Sequence, residues 1–171
     1  MVVVCVSTSD YKKRLTEAML ELSLDERVVF LGQGVAEKGT FMSMTLENIP
    51  RAIELPVAEE MQLGMSIGLA LEGRIPVSVF PRWNFLILAA NQLVNHLDKM
   101  QAHVIVRVGA GSTKPLYPGP QHVGNYAPAF ESICKNTRFV TLDSSDKILH
   151  AYRQALAYNG PTVLTEIADE Y

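Results

Sequence analysis

The chain has 171 residues, of which 48% are hydrophobic and 19% charged, with a net charge of −3 at neutral pH. This composition excludes intrinsic disorder and fits one domain, and its mild acidity argues against nucleic acid as a partner. The two isolated cysteines, Cys5 and Cys134, form neither a disulfide framework nor a metal-ligand spacing, and no apolar run is long enough to span a bilayer. We therefore expect a cytoplasmic protein without a membrane partner.

The first half of the chain alternates predicted helices and strands. An amphipathic helix over 11–22 precedes a short buried strand at 27–32. Residues 40–50 are predicted as loop or partial helix, and 51–56 as a second short strand. The helix predicted at 59–71 is almost uncharged after its first turn.

The second half continues this alternation. A strand over 75–81 leads into a long helix over 84–100 and another buried strand over 102–111. A polar loop rich in glycine and proline covers 109–126. The remaining residues predict a helix at 127–136 and a strand at 138–143. A helix at 144–159 and a final strand at 161–167 follow.

Apolar strands separated by helices are typical of a parallel sheet that helices cover on both faces. We therefore predict an α/β fold with three layers, α/β/α, and a mostly parallel central sheet, in a single domain over 1–171. Sheets of this kind place their ligands at the carboxyl ends of the strands, where the loop 109–126 lies.

Two adjacent carboxylates, Glu59 and Glu60, open the apolar helix. A structural role needs only the helix dipole, which stabilises acids in a first turn. Successive helical residues differ in direction by about 100°, so that one acid can face solvent while the other faces inward. Spacing alone favours the structural role over a functional one.

His122 lies in the loop 109–126 between Gly119 and Gly124, which let the backbone bend sharply or approach a ligand. The alternatives for this histidine are a surface residue and a proton carrier near neutral pH.

Other candidate positions have structural explanations. Trp83 and Phe85 follow a strand, and an isolated aromatic there is typical of core packing. Gly64 and Gly68 form a small-xxx-small pair, which predicts close helix packing either inside the domain or across a subunit boundary. The sequence contains no dinucleotide fingerprint, P-loop, nucleophile elbow or H-E-x-x-H motif, and we predict no metal site within the chain.

Four segments occur in an order and at a nearly gapless spacing that are together specific. Residues 11–35 match an opening helix and G-E-D-V, with Gln33 and Gly34 in place of the acids. Residues 51–80 match R-V-x-D-x-P-I-S-E, a glycine-rich helix and G-x-R-P-V. Residues 84–100 match D-F-x-x-x-A-x-D-Q-I-x-N-x-x-A-K. Residues 138–166 match V-x-x-P-S-x-x-x-D followed by a closing strand.

The chain thereby resembles the pyrimidine-binding domain of thiamine-diphosphate enzymes. It is most similar to the N-terminal half of 2-oxoacid dehydrogenase beta subunits, with the transketolase group further away. In the family, the glutamate that ends P-I-S-E hydrogen-bonds N1′ of the aminopyrimidine and stabilises its imino tautomer, whose nitrogen removes the thiazolium C2 proton. The resemblance gives this role to Glu59 and makes Glu60 a bystander.

The resemblance also implies the other site residues. Phe85 falls where the family has an aromatic ring against the pyrimidine, and Val57 falls where an apolar residue borders it. His122 falls on the histidine of H-S-Q, or equally on that of D-G-P-T-H-Q in the transketolase group, which implies a proton donor or oxyanion partner. The candidate catalytic residues are thus Glu59 and His122, and the candidate cofactor contacts are Glu59, Phe85 and Val57.

The implied function is that of a beta-type subunit that uses thiamine diphosphate and Mg²⁺ on a 2-oxoacid or ketose-type substrate. The sequence lacks the G-D-G…N motif for Mg²⁺ and diphosphate and shows no C-terminal transketolase-type domain. We expect a diphosphate-binding, alpha-type subunit to supply the missing motif, in a homodimer or an α2β2 heterotetramer with a small carbonyl substrate.

Three residues depart from the family pattern. Trp83 replaces a small residue, Asn84 replaces an acid, and Gln121 stands where a second histidine is common. Decarboxylation and acyl or ketol transfer therefore both stay open. The alternatives are a non-catalytic assembly or regulatory subunit, and the C-terminal half of a split transketolase-like enzyme.

Overall fold

Apolar runs rich in β-branched residues form the strands of one sheet. The computed structural model describes residues 9–37, 40–47, 49–111, 113 and 117–171, so that Cys5 and part of the loop 109–126 lie outside the described residues. The strands in the described part are β1 (Val28–Gly32), β2 (Ala52–Glu54), β3 (Ile75–Phe80), β4 (Ile105–Ala110), β5 (Arg138–Leu142) and β6 (Thr162–Ile167).

The helices alternate with these strands. They are α1 (Asp10–Ser23), α2 (Glu59–Leu71), α3 (Trp83–Leu86), α4 (Asp98–Met100), α5 (Ala127–Ile133) and α6 (Ser145–Ala157). Short 3₁₀ turns lie at Ser43–Thr45, Pro120–His122 and Ala168–Glu170. No helix in the described part of the chain has the length and apolar character needed to cross a membrane.

The strand order is β2-β1-β3-β4-β6-β5, and every neighbouring pair is parallel. The register places apolar residues side by side in the centre, with Phe30 opposite Val77 and Val77 opposite Ile105. Since all strands run in the same direction, their carboxyl ends meet at one edge, which we call the carboxyl edge.

Helices cover both faces of the sheet. One core cluster joins α1 and α6 to the sheet, and a second joins α2, α5 and the helical segment after β3 to the other face. The central strands β3 and β4 are buried at every position, whereas β5 at the sheet edge alternates between exposed and covered residues. The predicted three-layer α/β/α fold with a parallel sheet is confirmed.

The segment predicted as a long helix over 84–100 is helical but irregular. It passes from α3 through a 3₁₀ turn (Ile87–Ala89) into a π-helical stretch (Gln92–Leu97) and ends with α4. The predicted long helix is therefore helical, but its period changes along its length. One face of the segment lies in the core, where Leu86, Ala89, Leu93 and Leu97 are fully buried.

A charged pair lies inside the sheet layer. Arg107 of β4 and Glu166 of β6 are fully buried, with Nε of the arginine 2.6 Å from Oε1 of the glutamate. Arg107 also donates to the hydroxyls of Thr45 and Tyr171, and Tyr152 donates to Glu166. Burial by itself would lower the pKa of Arg107, but the carboxylate of Glu166 outweighs it and raises the pKa well above its ordinary value. Arg107 therefore stays charged, and its bonds to Glu166 and Tyr171 tie the last turn of the chain to the sheet.

Candidate cofactor site

The predicted site residues all lie at the carboxyl edge. Val57 and Glu59 follow β2, Phe85 follows β3, and His122 lies in the loop after β4. Gln33, which directly follows β1, joins them there. The edge is where parallel sheets of this kind hold ligands.

The two acids at the start of α2 lie in different environments. Glu59 is the first residue of the helix and is only 4% exposed, whereas Glu60 is exposed. Nε2 of Gln33 donates a hydrogen bond of 3.1 Å to Oε1 of Glu59. Within the described ranges, this is the one hydrogen bond that the Glu59 carboxylate accepts from a side chain. Glu59 is therefore shielded from bulk water and held by a neutral donor.

Glu59 borders an open depression of about 490 Å³. The other residues that line it are Ala58, Glu60, Met61 and Leu88. Much of its rim is apolar and exposed, because Met61 is 48% and Leu88 is 59% accessible, although Glu60 adds an exposed acid. Val57 is 74% accessible and is not among the residues that line the depression. Exposed apolar surface that surrounds a buried acid is typical of a face that a ligand or a second protein covers.

The position of Gln33 follows from the tight backbone at the end of β1. Gly32 has φ +143°, and a Cβ atom on it would lie 2.3 Å from the carbonyl oxygen of Val79. Gly34 has φ +65°, and a Cβ atom there would lie 2.7 Å from the side chain of Thr40. Glycine is required at Gly32, where backbone blocks a Cβ atom, and is favoured at Gly34, so the chain turns immediately on both sides of Gln33.

Glu54 holds the residues after Gln33. Its carboxylate accepts four backbone N–H groups, those of Gly34, Val35, Ala36 and Glu37, at 2.7 to 3.1 Å. Burial alone would raise the pKa of Glu54, but these four donors outweigh it and lower the pKa. The carboxylate therefore stays ionised and fixes the turn that carries Gln33.

Phe85 and His122 lie against each other. Their ring centroids are 5.8 Å apart, with 37° between the ring planes. Both side chains are half-buried, and Nδ1 of His122 is buried without a hydrogen-bond partner in the part of the chain that the structure describes. Arg82 donates from Nη1 to the carbonyl oxygens of Gly111 (2.9 Å) and His122 (3.4 Å), and burial lowers its pKa. The arginine thus fixes the loop that carries the histidine.

Neither Glu54 nor Arg82 stands out in the sequence as a site residue. The signal that could have identified them is position, since Glu54 lies near the end of the strand predicted at 51–56 and Arg82 follows the strand predicted at 75–81. Trp83, in contrast, is a core residue. It stacks on Phe130 at 5.5 Å and donates from Nε1 to Thr165.

The glycine pair of α2 packs against none of the residues that the structure describes. Cβ atoms placed on Gly64 and Gly68 would meet no atom of the described residues within 4 Å. Of the two predicted explanations, close packing inside the domain is therefore wrong. Packing across a subunit boundary stays a prediction.

The residues present fit one part of the predicted cofactor. A buried carboxylate that borders a cleft suits a hydrogen bond to a heteroaromatic ring nitrogen, and an aromatic side chain such as Phe85 suits a flat ring. A metal–diphosphate group needs several oxygen ligands together. Among the residues that the structure describes, no three or more His, Cys, Asp or Glu side chains are arranged to hold a metal ion.

The chain matches the transketolase pyrimidine-binding domain over residues 7–171, and it belongs to this family. It is similar to the pyruvate dehydrogenase E1 component subunit beta of Gracilaria tenuistipitata var. liui, with 24% identity over 159 residues, which cover 85% of this chain and 48% of that protein. A 3-methyl-2-oxobutanoate dehydrogenase subunit beta of Mycobacterium tuberculosis is 34% identical over 83 residues, which cover 46% of this chain and 24% of that protein. The chain spans about half the length, or less, of these curated relatives.

A solved structure has the same fold. It is a split-gene transketolase described as an inactive β4 tetramer, with a TM-score of 0.74 and 18% identity over 91% of this chain and 50% of that chain. These comparisons confirm the predicted family and fold. The roles of the individual site residues stay predictions.

Proposed function

We propose that this chain is the pyrimidine-binding, beta-type subunit of a thiamine-diphosphate-dependent enzyme that acts on a 2-oxoacid or ketose-type substrate. The observation that carries the proposal is Glu59, a carboxylate 4% exposed at a helix start that borders the depression. It ends the segment Pro56–Glu59, which matches P-I-S-E. The named relatives, which are beta subunits of 2-oxoacid dehydrogenases, support the same class.

Each site residue has a distinct task in this proposal. When bound, thiamine diphosphate supplies the nucleophilic carbon that attacks a substrate carbonyl. Glu59 shares a proton with N1′ of the aminopyrimidine. Phe85 presents its ring to the flat pyrimidine, and Val57 borders it with an apolar side chain. His122 donates a proton to the substrate oxygen or stabilises its negative charge.

The diphosphate and Mg²⁺ are assigned to a diphosphate-binding, alpha-type subunit, in a homodimer or an α2β2 heterotetramer. The exposed apolar residues near Glu59 support this, since Val57, Met61 and Leu88 expose surface that a second subunit would cover. We also propose a cytoplasmic location, which is supported by the isolated cysteines of the sequence.

A titration with thiamine diphosphate and Mg²⁺, followed by circular dichroism, tests the proposal. We expect saturable binding when the diphosphate-binding subunit is present and none by the chain alone. In the complex, Glu59→Gln should lower turnover by at least about 100-fold, because a positioned acid–base group contributes that much or more. Glu72→Gln, an exposed acid at the other end of α2, is the control and should keep turnover. Wild-type turnover in Glu59→Ala would contradict the proposal.

The second candidate is the C-terminal half of a split transketolase-like enzyme. The structural similarity to a split-gene transketolase favours it, as does the segment Gly119–His122, which matches D-G-P-T-H-Q as well as the dehydrogenase pattern. Supplying the reconstituted complex with a 2-oxoacid or with a ketose phosphate and an aldose acceptor separates the two. Ketol transfer without 2-oxoacid decarboxylation identifies the transketolase-like enzyme.

A non-catalytic assembly or regulatory subunit is the third candidate. Such a subunit has no need to keep Glu59, Phe85 and His122 together at one edge of the sheet, which argues against it. The titration described above decides this as well. A complex that assembles fully and leaves its circular dichroism unchanged by thiamine diphosphate would identify a non-catalytic subunit.

A further inference from the structure

The hydrogen bond between Gln33 and Glu59 has a chemical direction. We propose that Gln33 is a positioning residue for Glu59: its amide fixes Oε1 as an acceptor and thereby assigns Oε2 as the oxygen that shares a proton with a ligand. The ligand in this statement, a heteroaromatic ring nitrogen, rests on the proposed function. The contact between the two side chains does not.

An amide NH₂ group donates hydrogen bonds and accepts none. The carboxylate oxygen that accepts from it, Oε1, therefore holds its lone pair toward Gln33 at 3.1 Å. Oε1 keeps a second lone pair, but within the described residues Oε2 accepts no hydrogen bond at all, so it is the oxygen left to share a proton with a ligand. Rotation of the carboxylate would interchange its two oxygens, and the bond from Gln33 opposes that rotation in a side chain only 4% exposed.

The donor is itself held in place. The carbonyl oxygen of Gly32 accepts from the backbone N–H of Leu55 at 2.9 Å, which ties the residue before Gln33 to the adjoining segment. On the other side, Glu54 binds the four N–H groups that begin with that of Gly34. Gln33 therefore projects from a turn fixed at both ends.

A neutral donor differs in kind from an acid at this position. Two carboxyl groups at hydrogen-bond distance repel each other when both are ionised, or share one proton. Gln33 cannot take or release a proton, so it donates to Glu59 without adding a charge of its own. The amide thus binds one oxygen of Glu59 and leaves the other to a ligand in the depression that Glu59 borders.

The contact can be tested on the chain alone, without a cofactor or partner. In a ¹⁵N-labelled chain, the side-chain amide resonances of Gln33 should shift in Glu59→Ala, because they lose their acceptor. Glu60→Ala, the matched control one residue away, should leave them in place. Unchanged Gln33 amide resonances in Glu59→Ala would overturn the inference, independently of any measurement on the complex.

The positioning role is tested in the complex with the diphosphate-binding subunit. Gln33→Met keeps the side-chain length and removes the donor. We expect the rate of deuterium exchange at C2 of bound thiamine diphosphate to fall about tenfold, the effect of one lost hydrogen bond to a carboxylate. The dissociation constant of thiamine diphosphate should change less than about twofold, because the binding contacts remain.

The outcomes separate this inference from the proposed function. Wild-type exchange in Glu59→Gln would overturn the proposed function. Slow exchange in Glu59→Gln together with wild-type exchange in Gln33→Met would overturn only the positioning role. Equal losses of exchange and of binding in Gln33→Met would show a merely structural residue and would overturn it too.

Discussion

At the scale of single residues, the site depends on backbone that only glycine can adopt. Gly32 must turn the chain away from β1 while the carbonyl oxygen of Val79 lies where a Cβ atom would be. Gly64 is the opposite case, since it lies in regular helix and faces open space. The same substitution at the two positions should therefore have effects of opposite sign.

We expect Gly32→Ala to destabilise the isolated chain by about 2 kcal/mol or more, because the added methyl group and the positive φ both strain the turn. Gly64→Ala should stabilise the isolated chain by roughly 0.5–1 kcal/mol, since alanine favours an exposed helical position over glycine. Urea unfolding followed by circular dichroism measures both. A Gly32→Ala variant as stable as wild type would contradict the described turn.

At the scale of secondary-structure elements, a buried carboxylate joins α4 to the turn between α5 and β5. Asp98 is 5% exposed and accepts the backbone N–H groups of Lys135, Asn136 and Thr137 at 3.2, 2.8 and 2.9 Å, and the hydroxyl of Thr137 at 2.9 Å. Burial alone would raise the pKa of Asp98, but these donors outweigh it and lower the pKa. The ionised form is therefore the one that the fold stabilises.

The sign of the pH dependence follows from this shift. Asp98 contributes its full stability above its unfolded pKa, which is near the ordinary value of 3.8, and loses it as the pH falls through the lower pKa of the folded state. Asp98→Asn should therefore cost about 2 kcal/mol at pH 7, with a difference from wild type that shrinks below pH 3.8. Urea unfolding between pH 7 and pH 2 measures this.

Glu131→Gln is the control for this prediction, because it removes an exposed acid from α5. It should change the free energy of unfolding by no more than about 0.5 kcal/mol. A constant difference between Asp98→Asn and wild type across the whole pH range would show that the carboxylate charge does not matter.

At the scale of the whole molecule, the exposed side of α2 is a surface that the described residues leave uncovered. Gly64 and Gly68 meet no atom of the described residues, and Met61 and Leu71 beside them are 48% and 60% accessible. This surface is continuous with the depression that Glu59 borders, since Met61 belongs to both. A subunit that covers the depression would therefore also pack on the glycine pair.

Gly68→Leu should weaken the assembly without unfolding the chain, because the larger side chain fits free solvent but not a close helix contact. We expect the dissociation constant of the complex to rise at least about tenfold, as overpacking in an interface costs more than 1 kcal/mol. Sedimentation velocity measures the change. Leu20→Gln, on α1 at the opposite face of the sheet, is the control and should leave the assembly intact.

The sequence by itself determined the layers, the parallel sheet, the family and the extent of α2. Hydrophobic period and element length encode these features locally, and the spacing from Pro56 to Glu59 carries the family motif. The opposite environments of Glu59 and Glu60 also follow from the helical period. The irregular helical period between Trp83 and Met100 does not, because it depends on the core against which that segment packs.

Only the tertiary structure decided which side chains meet at the carboxyl edge. Gln33 and Glu59 are 26 residues apart, and Glu54 reaches the turn after Gln33 because β1 and β2 are neighbours in the sheet. Likewise, the empty space beside Gly64 excluded internal packing, which the spacing of glycines had left open. The physical reason is that strand order sets these contacts, and no local pattern in the chain encodes the order of its strands.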